Sequence, residues 1–326
     1  LSENMKEITT KLKELEIETL SNVRSSKADN TLKAYKSDFR DFKMFCVQHG
    51  LKSMPSTPEN LSIYLTNLSK KCKFSTLKRR IASISVVHKL NGHYIDIKHP
   101  VITENLLGIK RSIGAYQTSK KPLLINDLKL LINPLLEMEK EKVWINKSNN
   151  SMEVENWVKR KRNKALLLIG FAGGFRRSEL VSIIKEDIEF VAEGVKILIR
   201  RSKTDQSGEG TLKAIPYFDN KEFCPVTALK EYIELKNWSL NEGKIFNISD
   251  KSVALIIKKY AQIAGLDASK YAGHSLRSGF ATTAAEFGAE ERSIMAMTGH
   301  KTTQMVRRYI HEGNLFKNNA LNKVKL

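Results

Sequence analysis

Four short stretches hold the residues best suited to chemistry: GFRRSEL at 174–180, RSKT at 201–204, HSLR at 274–277 and GHKTTQMVRRYI at 299–310. They supply two arginines, Arg176 and Arg277, a lysine, Lys203, two histidines, His274 and His300, and a tyrosine, Tyr309. A guanidinium is permanently charged, and its planar fork of donors meets two phosphoryl oxygens at once, which an ammonium cannot do. A phenol, with an ordinary pKa of about 10, becomes a nucleophile near neutrality once a neighbouring base or a positive field helps it ionise. Breaking a phosphodiester needs such a nucleophile, fixed positive charge for the nonbridging oxygens and a proton for the departing 5′-oxygen. Arg176 and Arg277 suit the second need, Tyr309 the first, and Lys203, in a hairpin turn, the third. Singly, each stretch also has an ordinary reading. Arg176 could be a surface cation, Lys203 a hairpin-tip lysine, Tyr309, one helical turn from Met305, a core residue, and His300 after Gly299 the cap of a turn.

Most of the elements that must place these residues read as helices. Leu32, Tyr35, Phe39, Phe42 and Cys46 recur every three or four positions, an amphipathic stripe with Lys33, Lys36, Arg40 and Lys43 mostly off it. Thr57 followed by Pro58 forms an N-cap and first helical position, opening a helix with Leu61, Tyr64, Leu65 and Leu68 inward. A third helix begins near Ser75 and stops at Asn91 and Gly92, and a fourth covers Thr103 to Ile113. Residues 1–113 are therefore expected to form an all-helical domain, with residues 1–20 as a charged arm. Gly114 to Pro122 lacks periodicity and is expected to be a linker. Residues 123–326 form the second domain, with helices near 126–140 and 156–173. Val195, Ile197 and Ile199 alternate with Lys196, Leu198 and Arg200 as in a strand, and turn residues Ser207, Gly208 and Gly210 lead to Thr211–Ile215, completing a hairpin. Helical periodicity resumes from Pro225. The fold class is thus mainly α, with a small antiparallel sheet in the second domain.

Composition narrows the partners. The 326 residues hold 55 Lys plus Arg against 35 Asp plus Glu, a net charge of +20, with 41% hydrophobic content. That is enough apolar material for real cores, and the basic excess, present in both 1–118 and 119–326, makes a polyanion the default partner. Lys70, Lys71, Lys73, Lys78, Arg79 and Arg80 fall within eleven positions. The three cysteines, Cys46, Cys72 and Cys224, are odd in number and far apart, which argues against a disulfide framework or a cysteine zinc site. No P-loop pattern occurs. Glu186, Asp187 and Glu189 read as a solvated helix end and not as a two-metal site, so no metal or other cofactor is expected. The apolar run Ala165–Phe175 is too short to span a bilayer, and the first twenty residues lack a signal-peptide apolar region, which makes a cytoplasmic location, nucleoid-associated if bacterial, the expectation.

Arg176, Lys203, His274, Arg277, His300 and Tyr309 resemble, in identity, order and surroundings, the catalytic set of the tyrosine recombinase (phage integrase) family. The matching features are R-x-x-E-L at Arg176–Leu180, a basic residue in the hairpin turn, H-x-x-R, G-H, and a tyrosine nine residues after that histidine. The similarity extends over essentially the whole chain, and the two-domain layout looks closest to Cre-like and Xer-like recombinases. The resemblance implies a SAM-like, core-binding N-terminal bundle and a catalytic domain that together clamp duplex DNA. It implies that His274 assists proton transfer, that His300 hydrogen-bonds the scissile phosphate and that Glu179 orients the site. A 3′-phosphotyrosyl link would conserve the energy of the broken bond, so strands could be rejoined through a Holliday junction without ATP. Lys33 and Arg40, with Lys78 and Arg79, are the expected groove or phosphate contacts. A terminal helix at about 314–326, with Leu315, Phe316, Ala320, Leu321 and Val324 as its stripe, is expected to dock on a neighbouring protomer, giving a homotetramer on paired inverted-repeat sites of double-stranded DNA.

Two rival functions stand beside this one. A type IB topoisomerase uses similar Arg, Lys, His and Tyr logic to relax supercoils, and the H-x-x-R and G-H pair with the compact helical N-domain favour recombination. A DNA-binding protein without chemistry would be expected to have lost Tyr309 or an arginine, and neither is lost.

Overall fold

The computed structural model describes residues 15, 18, 28–114, 120–140, 151–200, 202, 209–235, 243–313 and 320–324. The chain divides into two compact units, residues 1–118 and 119–326.

The described part of the first unit is a four-helix bundle: α1 (Asp29–Gln48), α2 (Pro58–Ser69), α3 (Phe74–Leu90) and α4 (Pro100–Ile113). Its core takes Phe42 and Cys46 from α1, Leu61, Tyr64 and Leu65 from α2, Leu77 and Ile84 from α3 and Ile102 from α4. The three- and four-residue spacing of these positions dictates which faces turn inward. The Thr57 hydroxyl accepts the Asn60 N–H at 3.3 Å, with Pro58 at the first helical position, as the sequence predicts.

The second unit is built on α6 (Ser151–Ala172), whose run Ala165–Ile169 is buried on every side. Around it lie α5 (Ile125–Lys140), the one-turn-and-a-half α7 (Arg177–Ser182), α8 (Pro225–Leu235), α9 (Asp250–Ile263), α10 (Ser275–Glu286), α11 (Glu291–Thr298) and α12 (Thr303–Gly313). A three-stranded antiparallel sheet, β1 (Ile188–Val191), β2 (Gly194–Ile199) and β3 (Thr211–Pro216), runs in the order β1-β2-β3. Val195 pairs with Ile215 and Ile197 with Lys213, and these four side chains face the core. The fold is mainly α with one small antiparallel sheet, as expected. No described helix is long and apolar enough to cross a membrane.

Two local readings need correction. Asp187 is not solvated: it is buried, accepts the Ile184 N–H at 3.3 Å and takes the Arg200 Nε at 2.6 Å. Arg200, at the end of β2, supplies the charge that lets the carboxylate leave water, and the chain enters β1 directly after it. At the C-terminus, residues 314–319 lie outside the described residues, and Ala320–Lys323 form a 3₁₀ turn in place of an α-helix, with Leu321 and Val324 exposed. Of the expected linker, Lys120 and Lys121 are fastened to the second unit: Lys120 Nζ donates to the Ser269 carbonyl and the Lys121 N–H to the Lys270 carbonyl.

Candidate active site

Helix α10 places two of the expected residues. His274 is its N-cap and Arg277 lies in its first turn. The helix is rich in small residues, SLRSGFATTAAE, and is buried almost all round. A Cβ at Gly279 would meet the Leu123 carbonyl oxygen at 1.9 Å, so glycine lets that segment lie against the helix, where the Leu123 N–H donates to the Ser275 carbonyl. Packed this closely, Arg277 is 1% exposed and donates from Nη1 to the Gly174 carbonyl at 2.9 Å. Burial first, and the Arg176 charge second, bring its pKa down to about 10, which leaves it a cation at neutral pH.

Arg176 enters from the start of α7. Gly174 adopts φ +54°, a conformation glycine takes without strain, and turns the chain from α6 towards α7. Arg176 is the residue that precedes α7, and its own N–H donates to Glu179 Oε2 at 2.9 Å while its Nη1 donates to Glu179 Oε1 at 2.5 Å. The buried Glu179 therefore fixes both the backbone and the fork of Arg176. Arg176 Nη2 reaches the Gly299 carbonyl at 3.2 Å. Gly299 caps α11 in the left-handed conformation, φ +61°, and delivers His300 beside the two arginines.

His300 Nδ1 lies 2.7 Å from the Thr298 hydroxyl, which donates to the Ile294 carbonyl at 2.6 Å. A hydroxyl has one proton, so with that bond made His300 is the donor to Thr298. Its pKa is pushed down to about 4, by burial first and then by Arg277, Arg176, His274 and Lys213. His274 is lowered too, by desolvation first and then by Arg277, Arg176 and Arg177. Both shifts favour the neutral ring at pH 7.

Tyr309 sits on α12, which is held by a small cluster of its own: Val306 packs with Ala281 and Ala285 of α10 and Ile294 of α11, and Tyr309 and Ile310 lean on it. Residues 306, 309 and 310 share one helix face. The Tyr309 hydroxyl is 3.4 Å from His274 Nε2, and its ring centroid is 5.8 Å from that of His300. A cleft of about 210 Å³ between the Lys120–Pro122 segment, the start of α10 and α12 is lined by His274, Ser278, Arg308 and Tyr309. A larger cavity, about 530 Å³ and lined by Leu128, Phe171 and Phe223 among others, contains none of these residues.

The structure thus gathers Arg176, Glu179, His274, Arg277, His300 and Tyr309, drawn from 134 residues of sequence, into one neighbourhood. A neutral imidazole beside a phenol, and two anchored guanidiniums, can accept a proton and receive an anion respectively. Lys203 lies outside the described residues.

A family model, the phage integrase family, matches residues 146–314. An integrase/recombinase xerD homolog of Selenomonas ruminantium is 40% identical over 95% of this chain and 89% of its own. The chain belongs to the phage integrase family, the tyrosine recombinases. A tyrosine recombinase of Pseudothermotoga lettingae is 24% identical over 91% of the chain and 92% of its own. Among solved structures, the integrase of transposon Tn1549 bound to transposon right-end DNA covers 94% of the chain and 97% of its own at 12% identity, with a TM-score of 0.58. The XerH recombinase on difH DNA covers 78% and 69% at 17% identity, with a TM-score of 0.57. These two likenesses concern the fold.

In this recombinase one further cation lies in the same neighbourhood and was not among the expected residues. Lys213 of β3 is 4% exposed, donates from Nζ to the Gly173 carbonyl at 2.6 Å and the Met297 carbonyl at 2.5 Å, and lies 4.4 Å from the centre of the Phe175 ring. Its pKa falls to about 8, through burial, with Glu179 opposing that shift and Arg277 and Arg176 adding to it. The strand alternation that turns Ile215 inward also turns Lys213 inward, and a lysine at an inward position is the sequence signal that would have found it.

The expected DNA-contacting residues all lie on the first unit. Lys33 and Arg40 are exposed on α1, and Lys78 is exposed on α3 with its ammonium 5.4 Å from the Phe74 ring centre. Arg79, half-exposed, is paired with the buried Asp38, which also holds Arg80 at 3.3 Å and accepts from Ser83 at 2.7 Å.

Proposed function

We propose that the recombinase is site-specific, cutting and rejoining DNA strands through a 3′-phosphotyrosyl intermediate formed by Tyr309. The observation that carries this reading is the Tyr309 hydroxyl lying 3.4 Å from the His274 ring and within electrostatic reach of Arg277, with Arg277 and Arg176 each anchored from behind. In the proposed step His274 accepts the phenolic proton, Tyr309 attacks phosphorus, and the bond to the 5′-oxygen breaks. Arg176 and Arg277 receive the nonbridging oxygens, whose charge grows in the transition state. Lys203 gives the leaving oxygen its proton. His300, neutral in the free protein, gains basicity when the phosphate brings negative charge among its cations, and then donates to that phosphate. Attack of a second 5′-hydroxyl reverses the sequence on a new partner, with neither ATP nor a metal ion consumed.

The test is a suicide duplex nicked so that the cleaved segment diffuses away. Wild type should leave a covalent protein–DNA band on a denaturing gel and Tyr309→Phe none; an adduct that survives Tyr309→Phe, or no adduct from either protein on a duplex bearing its inverted repeats, rejects the reading. Relaxation of plasmid without strand exchange would assign the chemistry to a topoisomerase-like activity.

The first unit is proposed to hold duplex DNA through Lys33, Arg40 and Lys78, with Arg79 shared between Asp38 and a phosphate. Removing one phosphate contact should lower the salt slope of binding by roughly one, so an unaltered slope in Arg79→Ala removes Arg79 from the interface. Residues 315–326 are proposed to dock on a neighbouring protomer in a tetramer on paired sites. A truncation at 314 that still recombines would reject that role.

A further inference from the structure

Resting on that reading of the site, we infer that Lys213 is a positioning residue for the phosphate pocket, pinning the turn that leads to Arg176 against the helix end that leads to His300. Its two acceptors are placed symmetrically in sequence: Gly173 lies three residues before Arg176, and Met297 three residues before His300. One ammonium therefore joins the roots of two arms whose tips bear the anion-binding and proton-handling side chains. The next carbonyl along the turn, Gly174, accepts from Arg277, so two consecutive carbonyls are turned to two buried cations from different elements. Arg176 closes the loop by donating to Gly299, beside His300. The Phe175 ring under Nζ completes the seat.

An apolar residue at this inward strand position would pack against Ile197 and Val195 without repulsion. Lys213 instead carries a charge that burial most disfavours; Glu179 favours it, and Arg277 and Arg176 each oppose it less strongly than Glu179 supports it. The Lys213 N–H groups can satisfy both buried carbonyls, and its charge adds, after burial and the two arginines, to what holds His300 neutral in the free protein. A residue serving the core alone would do neither.

The experiment compares wild type, Lys213→Met and Lys213→Arg in single-turnover cleavage of the suicide duplex at saturating DNA, alongside NMR titration of the His300 ring without DNA. Lys213→Met should bind DNA as wild type does, cleave about tenfold or more slowly, and show a His300 midpoint moved upward. Lys213→Arg should recover most of the rate. Wild-type cleavage together with an unmoved His300 midpoint in Lys213→Met would overturn the inference, as would equal impairment of the two variants. Should Lys213→Met not fold, Lys213→Gln, which keeps two N–H donors without charge, is read by the same two measurements. If wild type itself forms no adduct, the phosphotyrosyl reading fails, while the His300 titration still decides whether Lys213 acts on the site.

Discussion

The arginine pocket and the tyrosine helix are built to different standards. Arg176 and Arg277 are rooted in the large core of the second unit and stitched to it: Glu179, Gly174 and Gly299 each accept a bond from one or the other. Tyr309 rides on α12, whose buried apolar anchor is Val306 in a satellite cluster of four buried residues, and the hydroxyl meets His274 at a long 3.4 Å. Charge stabilisation needs donors that do not reorganise during reaction, so their rigidity contributes directly to the barrier. In the proposed mechanism the nucleophile must approach phosphorus, bond to it and later be displaced. A lightly held helix suits that cycle, because the free energy of local opening is low where few apolar contacts must be broken.

The largest test of this contrast is Arg277→Ala. Removing a preorganised charged donor should slow single-turnover cleavage by about 10²–10³-fold, measured at saturating DNA with the thermal midpoint followed in parallel. A loss below tenfold in a folded variant would mean the pocket is not where the charge develops. Glu179→Gln should come next. It keeps the size of the side chain but weakens two bonds to Arg176, and a charge-assisted hydrogen bond is worth about 1.5–3 kcal/mol, or roughly 10–100-fold in rate. Because Arg176 itself remains, DNA affinity should change far less than the rate.

Val306→Ala probes the other side of the comparison. Losing two methyl-sized groups from the satellite cluster should cost roughly 1.5 kcal/mol locally and be felt at α12 far more than in the main core. Hydrogen exchange should rise in 303–313 and cleavage fall a few-fold, with exchange in α6 unchanged. Uniform acceleration of exchange across the second unit would show that the tyrosine helix is not a separate, weaker element. Acidification discriminates too. His274 and His300 have folded pKa values below the unfolded 6.5, so between those values and 6.5 the unfolded chain binds more protons and stability falls as pH falls. Stability should therefore be full above about pH 6.5 and decline towards about pH 4, and cleavage should fall once pH drops through the lowered His274 value, because a protonated His274 cannot take the Tyr309 proton. A variant with His300→Asn should lose part of the acid destabilisation seen by calorimetry.

Much of this architecture was legible because it is local. The 3.6-residue stripes of α1 and α2, the Thr57–Pro58 cap and the alternation of β2 each follow from neighbours in sequence, and the structure reproduces them. Motif order picked out six candidate site residues; the structure brings five of them into one neighbourhood, and Lys203 lies outside the described residues. The misses are non-local. Asp187 is buried because Arg200, thirteen residues on, neutralises it, and the four-residue β1 is too short to show alternation. Lys213 spends its donors on carbonyls 40 and 84 residues away, so no window of sequence contains its reason. Within Thr211–Ile215 it stands out only as a charge at an inward position of the strand alternation.

The smallest expected effect is none at all, and it bears on how the pocket is charged. In the proposed step, the nonbridging oxygens are met by Arg176 and Arg277, side chains covalently part of the protein and tied to carbonyls and a carboxylate behind them. A field of that kind cannot be dialysed away, whereas one borrowed from a bound divalent ion would be lost to a chelator. Adduct formation after exhaustive treatment with EDTA should therefore match the untreated protein within experimental scatter, at matched ionic strength so that screening of DNA contacts is held constant. A chelator-dependent rate restored by Mg²⁺ would place an exchangeable cation at the phosphate, and the contrast between a fixed pocket and a movable nucleophile would then have to be redrawn around that ion.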